Sequence, residues 1–385
     1  MSSIAQSAND LYQVVNGCKY AVIDFETDGL HPLRDNPTGM AVLTDRGAVY
    51  VPLWAYRTSD NPVTTGPIDP GAVATILRDS IARTVPVLGW NIKFDMHYLY
   101  KIAGFYPENA IDVQTGYWLL HEAGDLALKD VAGAITGSDH DSWKVVKAAT
   151  DEMIRNEVLR ERELWVTMEK VRGRKKTDAR KDVATEIPMR QATAYEIPVD
   201  VIAPYCLKDV ALTWWVWIAY VRPALQAEGM LDYFYSYEVP FTRTLWNMEQ
   251  RGFALDTERL RFLEQDLRAQ ALDLETQFHH IAGGEVNMNS TEQLCGLFFD
   301  RLGFTPTHRR TKEGNPSLDV DALTELNNTY GRESSVFKLL LEHREVSKLA
   351  RTYCSSLVDE TYEGRLHTRF RQCGTVTGRL SSSEP

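Results

Sequence analysis

Two patterns of apolar residues divide the chain into an α/β part followed by a helical part. Residues 20–25 (YAVIDF) form a short, β-branched run that ends on acidic residues, and residues 48–54 resemble a second strand. Residues 84–89 predict a third strand that runs into Asn91, although Pro86 is unfavourable inside a sheet. These runs predict an α/β fold in which one edge of a sheet carries carboxylates.

Breaks in the patterns predict the limits of the domains. Residues 141–190 are charged and helical in pattern, which indicates an insertion on the first domain. Pro223 and Gly229 then interrupt a tryptophan-rich stretch, so we expect a second domain to start near residues 225–235. A chain of 385 residues exceeds the size at which one hydrophobic core stops growing, and two or three domains are expected.

Composition argues against several classes of protein. The five cysteines show no CxxC spacing, which indicates neither a zinc site nor a disulfide framework and fits a reducing cytoplasm. The N-terminus lacks a basic region followed by an apolar core, and the most apolar stretch, residues 211–220, is too short to span a bilayer, so we expect no membrane association. The net charge of -11 argues against a uniformly basic nucleic-acid binder, but metal-dependent nucleases concentrate carboxylates at their sites.

Two basic clusters interrupt the acidic background. Solvated surface is the ordinary interpretation of such clusters, and contact with phosphate is the alternative, which we expect for the second cluster. The first consists of Arg172, Arg174, Lys175, Lys176, Arg180 and Lys181, and the second of Arg365, Arg369, Arg371 and Arg379.

Three short segments carry four carboxylates and a tyrosine that could share one site. Asp24 and Glu26 are two residues apart on a strand and therefore point to the same face. Asp95 lies at a predicted helix start, and Tyr205 and Asp209 are four residues apart on one helical face. Each match has an ordinary alternative: a solvated strand end, a first-turn acid that interacts with the helix dipole, or a chance helical pair.

In this order and separation the segments resemble the DEDD exonuclease superfamily in its tyrosine-containing form, and specifically the proofreading domain of family A (DNA polymerase I-like) polymerases. The resemblance implies a ribonuclease H-like domain with a mixed sheet and flanking helices. It also implies that Leu30 and Asn91 bind the substrate 3' end. His97, two residues after Asp95, is interpreted as a surface or core histidine and not as a metal ligand.

The resemblance implies two-metal hydrolysis of phosphodiesters at the five catalytic residues. Two Mg²⁺ or Mn²⁺ ions roughly 3.5–4 Å apart activate water and neutralise phosphate charge, and such hard cations choose oxygen ligands. By resemblance, Asp24, Glu26 and Asp209 hold the ion that activates water, Asp24 bridges to the second ion, and Asp95 holds that second ion largely through its waters. Tyr205 would orient the attacking water.

The second half of the chain resembles the thumb of the same polymerases. Residues 287–294 (NMNSTEQL) place Ser290 at a helix N-cap with Gln293 three residues later, a capping-box pattern that leaves other first-turn amides available to a phosphate. Asn289 and Ser290 are therefore candidate DNA contacts. An ordinary capped helix is the alternative interpretation.

Further thumb features follow along the chain. Residues 311–317 resemble the thumb-tip loop and residues 340–353 the long thumb helix. Arg344 and Lys348 lie on one face of that helix and match basic residues that the family places against the duplex backbone. At residues 350–351 the chain carries Ala-Arg, where relatives usually carry Lys-Ser, so the charge has moved by one residue.

The last residues resemble the start of the palm. In residues 377–383 (TGRLSSS), Arg379 matches an arginine that contacts the minor groove near the primer terminus. We therefore expect an exonuclease domain at 1–228, a mainly α-helical polymerase thumb at 229–358, and an incomplete start of the palm at 359–385.

These features predict the N-terminal portion of a family A DNA-directed DNA polymerase, phage-like in arrangement, in the cytoplasm of a bacterium or phage-infected host. We expect 3'→5' exonuclease activity on DNA, with a single-stranded 3' end in the exonuclease site and primer-template duplex along the thumb. Polymerisation would require a partner chain that carries palm and fingers. The alternatives are a non-catalytic DNA-binding scaffold subunit of a split polymerase and a free-standing DEDD-type RNase, against which the thumb motifs argue.

Overall fold

The computed structural model describes residues 2–53, 68–138, 140, 197 and 199–383. The predicted insertion at 141–190 and the first basic cluster lie outside these residues. The chain forms two compact units: the first contains Met1–Arg251 and Arg369–Ser383, and the second contains Gly252–Thr368. The limits predicted at residues 228 and 358 refer to the domains of the polymerase family and stay a prediction.

The described residues form ten strands and fourteen α-helices, with four π-helical segments. The strands are β1 (Ser2–Ile4), β2 (Ala21–Thr27), β3 (Pro37–Thr44), β4 (Gly47–Pro52), β5 (Val87–Gly89), β6 (Ala110–Asp112), β7 (Phe253–Ala254), β8 (Arg365–Leu366), β9 (Arg369–Arg371) and β10 (Ser381–Ser383). The α-helices are α1 (Ala8–Val15), α2 (Pro70–Ile81), α3 (Ile92–Ala103), α4 (Val113–Leu120), α5 (Leu128–Thr136), α6 (Val199–Val216), α7 (Arg222–Ala227), α8 (Leu231–Tyr233), α9 (Val239–Arg251), α10 (Thr257–Ala282), α11 (Thr291–Cys295), α12 (Val320–Tyr330), α13 (Val336–Lys348) and α14 (Ser356–Asp359). The π-helical segments are Trp217–Val221, Phe234–Glu238, Gly296–Arg301 and Leu349–Ser355.

A mixed sheet organises the first unit and confirms the predicted fold class. Its six strands lie in the order β1-β4-β3-β2-β5-β6. β2 pairs antiparallel with β3 and parallel with β5, so the strand that carries Asp24 and Glu26 is central. The predicted third strand is shorter than residues 84–89, because it begins at Val87, directly after Pro86.

Helices cover both faces of this sheet. On one face the core includes Leu11 of α1, Leu77 of α2 and Leu99 of α3. On the other face it includes Val131 of α5 and Val210 of α6. All five side chains are buried, which fixes the strand ends and helix starts that carry the candidate site.

The helical run that contains α6 is longer than the sequence pattern indicated. Val199–Ala227 spans 29 residues and passes the length and composition criteria for a membrane span, with half of the tested window buried. The prediction considered only residues 211–220, and the helical run that contains them is long enough to cross a bilayer, so the predicted length is wrong. In this structure Ile202, Cys206 and Val210 of the run pack in the core beside the sheet.

The segment Arg369–Ser383 returns to the first unit. β9 and β10 pair antiparallel, and the Phe370 amide donates a hydrogen bond to Glu249 Oε1 at 2.7 Å. Thr242 Oγ1 donates to Gln372 Oε1 at 2.9 Å, and both side chains are buried. Residues that resemble the start of the palm thus complete the hydrogen bonding of α9.

The second unit is mainly α-helical, as predicted. Its main core cluster includes Phe278, Leu294, Phe298 and Phe337, which come from α10, α11, a π-helical segment and α13. The predicted thumb helix at 340–353 corresponds to α13 and the π-helical segment after it.

Candidate active site

The structure brings the five predicted catalytic residues together in the first unit. β2 supplies Asp24 and Glu26, the first turn of α3 supplies Asp95, and α6 supplies Tyr205 and Asp209. All five line an open cleft of about 530 Å³. Three segments that are distant in the sequence therefore form one acidic site.

Backbone hydrogen bonds fix Asp95 against β2. Asn91 precedes α3 in a left-handed conformation with φ 57° and ψ 45°, which asparagine tolerates better than most residues. The Asn91 amide donates to Asp112 Oδ1 at 3.1 Å, and Asp95 Oδ1 accepts a hydrogen bond from the Phe25 amide at 2.9 Å. The helix start and the central strand are thus joined directly at the site.

Cys206 lies among the carboxylates although its sequence context did not mark it. Ligand atoms of Asp24, Glu26 and Cys206 lie within 4.8 Å of one another. Burial and the neighbouring carboxylates raise the pKa of Cys206 well above its usual value, so it is a neutral thiol that donates to Asp24 Oδ2 at 3.3 Å. Since a hard cation chooses oxygen, the carboxylates are the better candidate ligands.

Burial and mutual repulsion raise the pKa values of the carboxyl groups in this site. Burial, followed by the charge of Asp209, raises the pKa of Asp24 to about 7. Burial and the charges of Asp24 and Asp209 raise the pKa of Glu26 to about 8. The pKa values of Asp95 and Asp209 are also raised, mainly by burial. A bound cation would offset this repulsion and stabilise the ionised forms.

Asp209 provides a direct test of whether the site fits a metal ion. Its Oδ1 is buried, and no hydrogen-bond partner lies within reach of it among the residues that the structure describes. A buried polar atom without a partner is costly and calls for an explanation such as an ion or water. Four carboxylates, one of which has a buried oxygen without a partner among the described residues, are oxygen donors of the kind that Mg²⁺ or Mn²⁺ prefers.

Lys129 of α5 enters the site and was missed by the sequence analysis. Its Nζ donates to the Tyr205 hydroxyl oxygen at 2.6 Å and to Asp209 Oδ2 at 2.8 Å. The same nitrogen lies 3.9 Å from the centre of the Tyr205 ring. These contacts join residues 76 and 80 positions apart, and no local sequence pattern indicates them.

The two predicted 3'-end residues lie at different places. Leu30 lines the cleft and is 64% exposed. Asn91 lines a neighbouring cavity of about 300 Å³, which also contains Lys93 and Arg369. Phe94 of α3 lines both cavities.

His97 is a buried core residue and lies apart from the acidic cluster. Its Nε2 is 2.7 Å from Glu249 Oε2, and its Nδ1 is 2.7 Å from Gln250 Nε2. Lys93 also donates to Glu249. Burial opposes ionisation of Glu249, but the hydrogen bonds from His97 and Lys93 outweigh it and hold the pKa of this carboxyl below its usual value.

The candidate DNA contacts divide between the two units. In the second unit Ser290 caps α11 by accepting a hydrogen bond from the Gln293 amide at 3.3 Å. The reciprocal half of a capping box differs from the prediction, because Gln293 Oε1 accepts from the Asn287 amide and not from Ser290. Asn289 is exposed beside this cap.

The basic candidates differ in whether their charged groups are bound by the protein or exposed to solvent. Arg344 is half-buried and donates to the Leu318 carbonyl at 2.6 Å, whereas Lys348 is exposed. Arg379 lies in the first unit and is also exposed. Lys348 and Arg379 therefore present their charge to solvent.

Two family models match the chain, one in each half. Residues 1–164 match 3'-5' exonuclease, and residues 257–385 match DNA polymerase family A. DNA polymerase I of Chloroflexus aurantiacus is 35% identical over 202 residues, which are 51% of this chain and 21% of the relative. A thermostable DNA polymerase I of Thermus filiformis is 40% identical over 161 residues, which are 41% of this chain and 19% of the relative. The chain spans about a fifth of the length of these curated relatives.

A solved structure shows the same fold. The POL domain of Pol1 from M. smegmatis, in complex with DNA primer-template and dNTP, matches with a TM-score of 0.63 and 21% identity. The match covers 100% of this chain and 55% of that chain.

Proposed function

Because the chain belongs to family A of DNA polymerases and carries a 3'-5' exonuclease domain, we propose that its acidic cleft removes nucleotides from DNA 3' ends by metal-dependent hydrolysis. The observation that carries this proposal is the convergence of four carboxylates on one cleft, with a buried Asp209 oxygen that lacks a protein partner among the described residues.

The carboxylates would hold two divalent cations. Asp24, Glu26 and Asp209 would bind one, and Asp24 and Asp95 the other. When bound, the cations supply a water nucleophile at neutral pH and neutralise charge on the phosphate oxygens. The Phe25 amide holds Asp95 in place, and the Cys206 thiol holds Asp24 in place. The protein thus fixes the ligands before substrate arrives.

Tyr205 would position the attacking water as a neutral phenol. Burial and the nearby charges of Asp209 and Glu26 raise the pKa of Tyr205 far above its usual value. The hydroxyl therefore keeps its proton at neutral pH and acts through hydrogen bonds. No covalent intermediate is required, since water attacks the phosphorus directly.

Apolar and aromatic side chains on the cleft suit the base and sugar of an unpaired 3' end. Leu30, Trp90 and Phe94 line it beside the carboxylates. Aromatic faces stack on any base, which favours a site without sequence preference. We propose that a frayed or single-stranded end enters here and that primer-template duplex is bound by the second unit.

The test is degradation of a 5'-labelled single-stranded DNA oligonucleotide with Mg²⁺. The wild-type protein should produce a 3'→5' ladder that EDTA abolishes, and an Asp24→Ala, Glu26→Ala double variant should produce none. An Asp79→Ala, Glu108→Ala double variant removes the same charge from exposed positions and should cleave like the wild type. Absence of cleavage by wild-type protein that binds duplex would favour the scaffold function instead.

An RNA oligonucleotide of the same sequence separates DNA proofreading from the RNase alternative. Preference for DNA ends supports the proposal, and equal or better cleavage of RNA contradicts it.

Cytoplasmic location is proposed from the bacterial relatives and from the absence of any cysteine pairing pattern.

Duplex binding by the second unit is tested at Lys348. Lys348→Ala should weaken primer-template binding and reduce the salt dependence of binding by about one counterion. Lys338→Ala is the matched control, because Lys338 pairs with Glu342 on the same helix. Equal losses in the two variants would argue against a specific contact at Lys348.

A further inference from the structure

Resting on the proposed exonuclease function, we propose that Lys129 is a positioning residue of this site: its ammonium group holds the Tyr205 hydroxyl and Asp209 in place and does so at the expense of metal affinity. The geometry is specific. One nitrogen contacts the tyrosine oxygen at 2.6 Å and Asp209 Oδ2 at 2.8 Å. Tyr205 and Asp209 lie one helical turn apart and also hydrogen-bond to each other, so the ammonium group contacts both members of an interacting pair.

The backbone of α5 places Lys129 firmly. Val131 and Ala132 of the same helix are buried in the core cluster that also contains Ala203 and Cys206 of α6. The lysine side chain is 18% exposed and lies over the Tyr205 ring, so its aliphatic part and its charge are both packed. A side chain held in this way loses little further entropy when the site becomes active.

The two carboxylate oxygens of Asp209 have different surroundings, which supports the proposed role of Lys129. Oδ2 accepts from Lys129, and Oδ1 is buried without a partner among the described residues. Lys129 therefore orients the carboxylate so that Oδ1 is left for a cation. The Tyr205 oxygen is fixed by the same ammonium, so the ligand and the residue that positions water are held as one unit.

A positive charge beside a cation site also lowers the affinity of that site for the cation. The ammonium repels any divalent ion bound by Asp209, so its removal should tighten metal binding while it weakens catalysis. This opposite effect on two measured quantities distinguishes positioning from simple structural support, which would weaken both.

The first measurement is Mn²⁺ binding in the absence of DNA, by titration calorimetry, with wild type, Lys129→Met and Lys129→Arg. Lys129→Met should bind Mn²⁺ about tenfold more tightly, and Lys129→Arg should bind like the wild type. Unchanged or weaker Mn²⁺ binding by Lys129→Met would overturn the proposal. This measurement is independent of whether the protein cleaves DNA.

The second measurement is steady-state cleavage of a single-stranded oligonucleotide. Lys129→Met should lower kcat about 10- to 100-fold with little change in KM, and Lys129→Arg should restore part of the loss. Combined with Tyr205→Phe, the effects should be non-additive, so that the double variant is no slower than the slower single variant. A raised KM with unchanged kcat would overturn positioning and indicate that Lys129 binds the substrate phosphate.

Lys208→Met is the matched control. Lys208 neighbours Asp209 in sequence and donates to the His140 carbonyl at 2.9 Å. The substitution removes the same charge and should leave kcat unchanged. If Lys208→Met lowers kcat as much as Lys129→Met, the effect is one of general charge and the proposal fails. If the wild type cleaves no DNA, the exonuclease function fails, and the Mn²⁺ titration still decides the effect of Lys129 on the site.

Discussion

Replacing Asp24 by asparagine should stabilise the metal-free protein at neutral and basic pH. Burial and the charge of Asp209 raise the pKa of Asp24 from 3.8 to about 7. Between these two values the folded state therefore holds more protons than the unfolded state, and stability falls as the pH rises through this window. Asparagine keeps the shape and hydrogen-bonding capacity of the side chain but carries no charge, so the Asp24→Asn variant escapes this loss.

The expected gain follows from the size of the pKa change. One pKa unit corresponds to about 1.4 kcal/mol, so the full change at pH 8 corresponds to about 4 kcal/mol. Asp24 shares its repulsion with Asp209 and is not fully buried, which reduces the gain to about 2–3 kcal/mol. At pH 4 the two proteins should be nearly equal in stability, and the difference should grow between pH 5 and pH 8.

Urea denaturation in EDTA at several pH values measures this difference. Asp79→Asn, on the exposed side of α2, is the control for a general change of charge and should follow the wild type at each pH. Saturating Mg²⁺ should reverse the order, because the ion binds the ionised wild-type site and stabilises it by mass action. A wild type whose metal-free stability does not fall between pH 5 and pH 8, or an Asp24→Asn variant that is no more stable at pH 8, would refute the reasoning.

Three further predictions concern the packing around the site. Glu249→Ala removes the acceptor of the buried Lys93 and should cost about 3–5 kcal/mol in urea denaturation; a cost below that of an exposed glutamate substitution would contradict the ion pair's importance. Gly39→Ala places a methyl group against the Tyr50 ring and should lower the unfolding free energy by about 1–3 kcal/mol, seen as a lower Tm in calorimetry; an unchanged Tm would show that the ring moves freely. Asn91→Ala should cost about 1 kcal/mol in denaturation while Asn91→Gly costs less, because of the left-handed backbone there; equal losses would place the cost in the side chain instead.

Local patterns predicted which of the five candidate side chains share a face, and the resemblance to family A polymerases selected them as one candidate site. Side chains two residues apart on a strand, or four apart on a helix, share a face. Asp24 and Glu26 have the first spacing, and Tyr205 and Asp209 have the second. The start of α3 was also predictable, since Asp95 follows a glycine break. The structure adds that all these faces meet at one cleft.

The supporting residues could not be predicted in the same way. Cys206 contacts Asp24 across 182 residues of sequence, and Glu249 contacts Lys93 across 156. Such contacts depend on the packing of α6 and α9, which no local periodicity specifies. β3 was also missed, because it begins at Pro37, in a stretch with turn signals.

The return of Arg369–Ser383 to the first unit has a consequence for biosynthesis. A ribosome makes the chain from its N-terminus, so residues 252–368 are synthesised before β9 and β10 exist. Until then Glu249 lacks the hydrogen bond that the Phe370 amide donates to its Oε1 in the folded structure. The first unit can therefore form these hydrogen bonds only after residues 369–383 have been synthesised, and translation that stops before residue 369 leaves the first unit without them.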